Sequence, residues 1–203
     1  MTFDFDRVAP IFWEMHEAQG RHFIGGCGSY LFDGGAVFEY DARTAPKQQL
    51  LSRVAAGVGS ALEIGTYLGH SALIMLAANP RLRLTTIDVE ATYAAPAIDV
   101  LRRRFPEATI DFVHGHSNAV LREIAGSYDL FHLDGSHEAD QVAREWRTIL
   151  KLRSSDLVKV VIDDVDADGV WDVLDQVKRE VRVVEEEVPD CRWRNAYYAV
   201  RVN

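Results

Sequence analysis

Apolar and polar positions divide the chain at about residue 60. Beyond it, short apolar runs of strand length alternate with longer amphipathic stretches. Ala61–Ile64, Leu82–Ile87, Thr109–Val113, Tyr128–Leu133 and Leu157–Ile162 read as strands. Between them, Ser71–Ala78, Ala97–Phe105, Asn118–Ile124 and Ala139–Leu150 read as helices. In the last of these, Ala139, Val142, Ala143, Trp146, Ile149 and Leu150 fall at i, i+3, i+4, i+7, i+10 and i+11, one face of a 3.6-residue period. Val170–Glu180 is a further helix. Val181–Val188 and Ala196–Val202 are two final strands with no room for a helix between them.

Strands alternating with helices give a parallel sheet covered on both faces. A short link between neighbouring strands requires an antiparallel pair. The expected fold is therefore α/β: a doubly wound, mostly parallel, seven-stranded sheet with a reversed strand near its C-terminal edge. Before residue 60 the pattern is weaker. Val8–Gln19 reads as a helix. The glycine-rich, aromatic stretch Gly25–Gly35 reads as a loop or hairpin. Ala45-Pro46-Lys47 suits a helix start, with Gln48–Ala56 following. The expected organisation is an N-terminal extension over 1–46, a candidate substrate lid, and one domain over 47–203.

Composition narrows the function. Lys and Arg total 22 against 31 Asp and Glu, a net charge of −9. Such a chain lacks the basic footprint of a nucleic-acid binder and is repelled by anionic membrane. No apolar run nears the roughly 20 residues of a membrane span. The opening segment MTFDFDRVAPIFW is acidic and too short in apolar length for a signal peptide. Cys27 and Cys191 are too few for a disulfide framework and lack metal-site spacing. A cytoplasmic protein is expected; a homo-oligomer is left open.

In an open α/β sheet, ligands bind beyond the carboxyl ends of the strands. There the chain places Glu63-Ile64-Gly65-Thr66-Tyr67-Leu68-Gly69, then Asp88, Gly115–Asn118, Asp134–His137 and Asp163-Asp164. Gly65 and Gly69 allow close backbone approach. Tyr67 stands where the dinucleotide fingerprint G-x-G-x-x-G has its second glycine, and it would crowd a pyrophosphate. Asp88 is placed to accept hydrogen bonds from ribose hydroxyls. Asp134, Asp163 and Asp164 converge from two strand ends. Their mutual repulsion and all-oxygen chemistry suit a hard divalent ion such as Mg²⁺, although aspartates there also cap helices. His137 is a candidate general base. His132 reads as a sheet histidine, and His70 as packing or capping at a helix start.

The order of these motifs resembles class I S-adenosylmethionine-dependent methyltransferases. LEIGTYLGHSAL is similar to their first motif and TTIDVE to their second. YDLFHLDGSHE and VVIDDVD are similar to the motifs of their fourth and fifth strands. The nearest likeness is to the small metal-dependent O-methyltransferases of the catechol, caffeoyl-CoA and macrolide-sugar type, and it extends from about Lys47 to the C-terminus. It implies a Rossmann-like methyltransferase fold with S-adenosylmethionine as cofactor. By position, the cofactor would meet Glu63, Gly65, Tyr67, Ser71, Asp88, Val89, His116, Ser117 and Asp134, with Ser71 at the methionine part. The implied metal ligands are Asp134, Asp163 and Asp164. The Asp163-Asp164 pair is more like the sugar-modifying branch than the Asp-Asn of the catechol type. His137 falls where the catechol type has a catalytic lysine.

The resulting expectation is metal-assisted methyl transfer to a hydroxyl of a small molecule, with His137 and Asp134 catalytic. Three rivals remain: a metal-independent methyltransferase, an NAD-type oxidoreductase, and a non-catalytic cofactor- or partner-binding protein.

Overall fold

The computed structural model of the chain describes residues 2–202. The apolar runs form strands β1 (Ser60–Ile64), β2 (Arg83–Asp88), β3 (Thr109–His114), β4 (Leu130–Leu133), β5 (Leu157–Ile162), β6 (Arg182–Glu187) and β7 (Ala196–Arg201). They make one seven-stranded sheet in the order β3-β2-β1-β4-β5-β7-β6. β1 to β5 pair in parallel, and β7 lies antiparallel between β5 and β6. The expected mostly parallel sheet with a reversed strand near its C-terminal edge is the observed one. β1 and β4, both buried along their whole length, are the central pair.

The helices are α1 (Phe5–Ala18), α2 (Ala45–Ala55), α3 (His70–Ala78), α4 (Ala91–Arg104), α5 (Ser117–Glu123), α6 (Ala139–Ile149) and α7 (Val170–Lys178). Their apolar faces build two cores, one on each side of the sheet. Phe12, Leu50, Leu73 and Leu101 from α1 to α4 pack on one side. Leu121, Trp146, Ile149, Leu174 and Val177 from α5 to α7 pack on the other. Helix α4 begins at Ala91, six residues before the expected start at Ala97. Glu90 caps the earlier turn by accepting from the Thr92 amide at 2.8 Å, and the helix carries Pro96 inside it.

The N-terminal stretch shares its core with the sheet. Phe3, Phe12, Met15, Tyr30, Leu31, Phe32 and Phe38 are buried in the same cluster as Leu50 and Leu73. Helix α1 lies against the start of α3 so closely that a Cβ on Gly69 would come 2.9 Å from Met15 Cε. Both cysteines are free. Among the described residues, no helix is long and apolar enough to cross a membrane.

Candidate active site

The chain winds outwards from β1 through β2 to β3, then crosses back to lay β4 on the other side of β1. Such a crossover leaves a crevice at the carboxyl ends of the two central strands. A cavity of about 690 Å³ opens there. Its walls come from the turns after β1, β2, β3, β4 and β5 and from the segment Ile24–Ser29.

Gly65 makes the crevice geometrically possible. It has φ +94°, and a Cβ on it would lie 1.9 Å from the Asp134 carbonyl oxygen. Only glycine lets the β1 turn press against the β4 turn in this way. Gly65 donates to the Ile87 carbonyl and Asp134 to the Ile64 carbonyl, each at 2.8 Å, so both turns are pinned to neighbouring strands. Asp88 ties the β1 and β2 turns together: one carboxylate oxygen accepts from the Tyr67 amide at 2.6 Å, the other from the Glu90 amide at 2.8 Å. The Tyr67 hydroxyl accepts from the Ile24 amide at 2.8 Å, which fastens the N-terminal segment over the cavity. Val89, His116 and Ser117 also line the wall. His116 accepts from the Asn118 amide, and Ser117 donates to Glu145 at 2.5 Å.

Two residues expected at the cofactor are not among those lining the cavity. Glu63 is fully buried, and Ser71 nearly so. Ser71 and Thr86 each donate to Glu63 at 2.6 Å, and His132 Nδ1 lies 3.2 Å from it. They tie β1, β2, β4 and α3 together, because a buried carboxylate needs its partners close by. His132 continues this network to the Tyr30 hydroxyl at 3.0 Å, and Asn195 donates to that same hydroxyl at 3.0 Å. His132 is thus a sheet histidine. His70 is buried among Phe12 and Phe38.

The carboxylates at the ends of β4 and β5 have unlike surroundings. Lys47 Nζ donates to both oxygens of Asp163, at 3.1 and 2.9 Å, and it lies 4.5 Å from the centroid of the Tyr30 ring. Burial opposes the Lys47 charge, but the carboxylates of Asp163, Asp134 and Asp164 outweigh it and hold the ammonium above the usual lysine range. Asp134 is pushed well above the ordinary carboxyl range by burial and by repulsion from Asp163 and Asp164. Asp164 is raised for the same two reasons, burial and Asp163. Its carboxylate lies 3.2 Å from His137 Nε2. Ligand atoms of Asp134, His137 and Asp164 all lie within 4.8 Å of one another; Asp163, expected as a metal ligand, stands outside that group on Lys47.

Lys47 is the residue that sequence reasoning missed. Its spacing offered a signal: Lys47, Leu50, Leu51 and Val54 fall at i, i+3, i+4 and i+7, the apolar face of α2. A lysine there must find a buried partner. Backbone strain points to the same cavity. Of the non-glycine residues with positive φ, Tyr67 (+41°), Asp164 (+49°) and Trp193 (+55°) line it, and Arg21 does not. Such conformations persist where surrounding structure enforces them, often at functional sites.

Comparison with solved structures gives the same fold. Cofactor-bound Rv0187 from MTB is 20% identical, with a TM-score of 0.72, over 96% of this chain and 91% of that one. The Podospora anserina methyltransferase PaMTH1, bound to SAH, is 15% identical with a TM-score of 0.69, over 100% of this chain and 98% of that one. The O-methyltransferase TomG from Streptomyces achromogenes, in complex with SAM, is 20% identical with a TM-score of 0.66, over 100% and 92%. At these identities the likeness is one of fold. A comparison with curated protein sequences finds no match. Residues 62–165, from β1 through the turn after β5, match the family described as methyltransferase domain. That match takes in Gly65, Asp88, Asp134 and Asp164 together, and the chain belongs to this methyltransferase family.

Proposed function

We propose that the protein transfers a methyl group from S-adenosylmethionine to a hydroxyl of a small molecule, assisted by a divalent cation. One observation carries the reading: a single cavity joins the Gly65–Tyr67–Asp88 turn to the acidic corner at Asp134 and Asp164. Its volume of about 690 Å³ is within the roughly 300–1,000 Å³ usual for small-molecule sites. Each Asp88 oxygen accepts one backbone N–H and keeps capacity for a ribose hydroxyl. Tyr67 at the second position of the glycine turn disfavours a dinucleotide. Bound SAM in TomG and SAH in PaMTH1 support the cofactor.

The residues also suit a cation. Three carboxylates meet one ammonium and a histidine at the corner. Carboxylates outnumber the cationic side chains in this poorly solvated crevice, and a divalent ion would offset their mutual repulsion. Asp134 and Asp164 would hold it.

When bound, the cofactor supplies a methyl on a sulfonium, and the cation lowers the pKa of an acceptor hydroxyl. The chain supplies the placement. Asp88 and the turn from Gly65 to Tyr67 hold one end of the cavity. Asp134 and Asp164 orient the acceptor oxygen at the other. Ile24–Ser29 cover the opening and exclude water.

The Asp164–His137 contact favours a second reading, without a cation. There Asp164 would orient the imidazole and His137 would be the base. Calorimetry with S-adenosylhomocysteine and with NAD tests the cofactor: binding of the first and no heat from the second is expected. Turnover with a panel of hydroxylated acceptors should then stop in EDTA and return with added divalent ion. Full turnover in EDTA that is lost in His137→Ala would establish the second reading.

A further inference from the structure

The corner at β4 and β5 does not offer its carboxylates equally. Lys47 and Asp163 have side chains only 3% and 4% exposed, and one ammonium contacts both carboxylate oxygens. The face of Tyr30 covers that ammonium. Asp163 therefore already has its cation. A second, divalent cation on the same carboxylate would face Lys47 at close range with little water to screen it. Asp164 is turned away from this pair by its left-handed backbone, φ +49°, and its carboxylate meets His137 Nε2 at 3.2 Å. His137 is exposed on the rim of the cavity, so its ring is free to present that nitrogen.

We infer that Lys47 removes Asp163 from the cation's ligands, and that the cation is held by Asp134, Asp164 and the His137 imidazole. This inference rests on the metal-assisted reading. It also alters the expected ion. Mg²⁺ prefers oxygen donors, and an imidazole adds little to its binding. First-row transition ions accept nitrogen readily, with affinity rising from Mn²⁺ to Co²⁺ and Ni²⁺. A site of two carboxylates and one imidazole thus selects a transition ion over Mg²⁺.

The test uses full-length protein freed of metal by chelation, with S-adenosylhomocysteine present, titrated separately with Co²⁺ and Mg²⁺. Co²⁺ is expected to bind more tightly and to give visible absorption bands and a paramagnetically shifted imidazole proton. His137→Ala should lose the shifted proton. It should also weaken Co²⁺ about 10-fold or more, the loss seen even for outer partners of a metal ligand, with Mg²⁺ affinity unchanged. Lys47→Met, which frees Asp163, should raise Mg²⁺ affinity; if that variant does not fold, the His137→Ala comparison decides alone. The inference is overturned if His137→Ala changes both ions equally or neither, or if folded Lys47→Met binds Mg²⁺ no better. Failure of the metal-assisted reading looks different: neither ion binds, while S-adenosylhomocysteine still does.

Discussion

At the scale of single residues, Lys47 has the largest consequence for stability. Its ammonium is the main compensation for a carboxylate that the fold buries at the end of β5. Removing one member of a buried pair leaves the other unpaired and costs about 3–5 kcal/mol, whereas replacing both with apolar groups is often neutral. Lys47→Ala should therefore lower the urea midpoint strongly, and Lys47→Met combined with Asp163→Leu should recover much of the loss. A single variant as stable as the parent would mean that the pair is not buried in solution. The residue scale is also where the sequence was least legible. Gly65, Asp88, Asp134 and Asp164 announced themselves by type and position at strand ends. Glu63 and Ser71 lie in the same motif, but they are buried and bonded to each other instead of lining the cavity. Nothing in their spacing separates a residue that lines the cavity from one that does not. Lys47 was hidden for another reason: its neighbours Ala45 and Pro46 carry so strong a helix-start signal that the buried face it shares with Leu50, Leu51 and Val54 was overlooked.

At the scale of elements, the strands were nearly all legible, because buried parallel strands must be short apolar runs. β5 was read at its observed bounds and β7 within one residue. The N-terminal segment was harder. A glycine-rich aromatic stretch is compatible with a mobile cover or with a packed loop, and the structure divides it into an exposed part and a buried one. Tyr30, Leu31 and Phe32 are fully buried, and the Tyr30 carbonyl accepts from Thr44 and Gln48. Ile24 to Gly28 are exposed and Ser29 is half-buried, and Ile24 is fastened to the cavity by its bond to Tyr67. The two halves should exchange amide hydrogen at different rates. Residues 30–32 should be protected with or without ligand, being core. Residues 24–29 should exchange fast in the free protein and slow when S-adenosylhomocysteine binds beneath them. Strong protection of 24–29 without ligand would remove the lid role and leave the segment as a fixed wall.

At the scale of the whole molecule, acid should weaken the fold through a core that closes over uncharged histidines. His70 sits at the start of α3, fully buried, with neither ring nitrogen hydrogen-bonded, and burial pushes its pKa down to about 3. His16 of α1, stacked on Phe38 with centroids 3.5 Å apart, is lowered as well, again chiefly by burial. In the folded protein these rings stay neutral at pH values where the unfolded chain, with histidines near about 6.5, takes up protons. Proton uptake by the unfolded state alone means that stability falls as pH falls. The His70 contribution is therefore complete above about pH 6.5 and is lost progressively down to about 3, with a slope of about 1.4 kcal/mol per pH unit. Asp134 and Asp164 act in the opposite sense. Their raised pKa values mean that the folded state binds protons first, so acid relieves their repulsion. A single stability profile mixes the two effects, and a variant separates them. His70→Leu keeps the apolar contacts with Phe12 and removes the titrating ring. Urea unfolding at several pH values between 7.5 and 4.5 should give a wild-type curve that falls more steeply towards acid than that of the variant. Because the aspartates are common to both proteins, they cancel in the difference. Parallel curves would mean that His70 is charged or solvated in the folded state, which would place water in the core between α1 and α3.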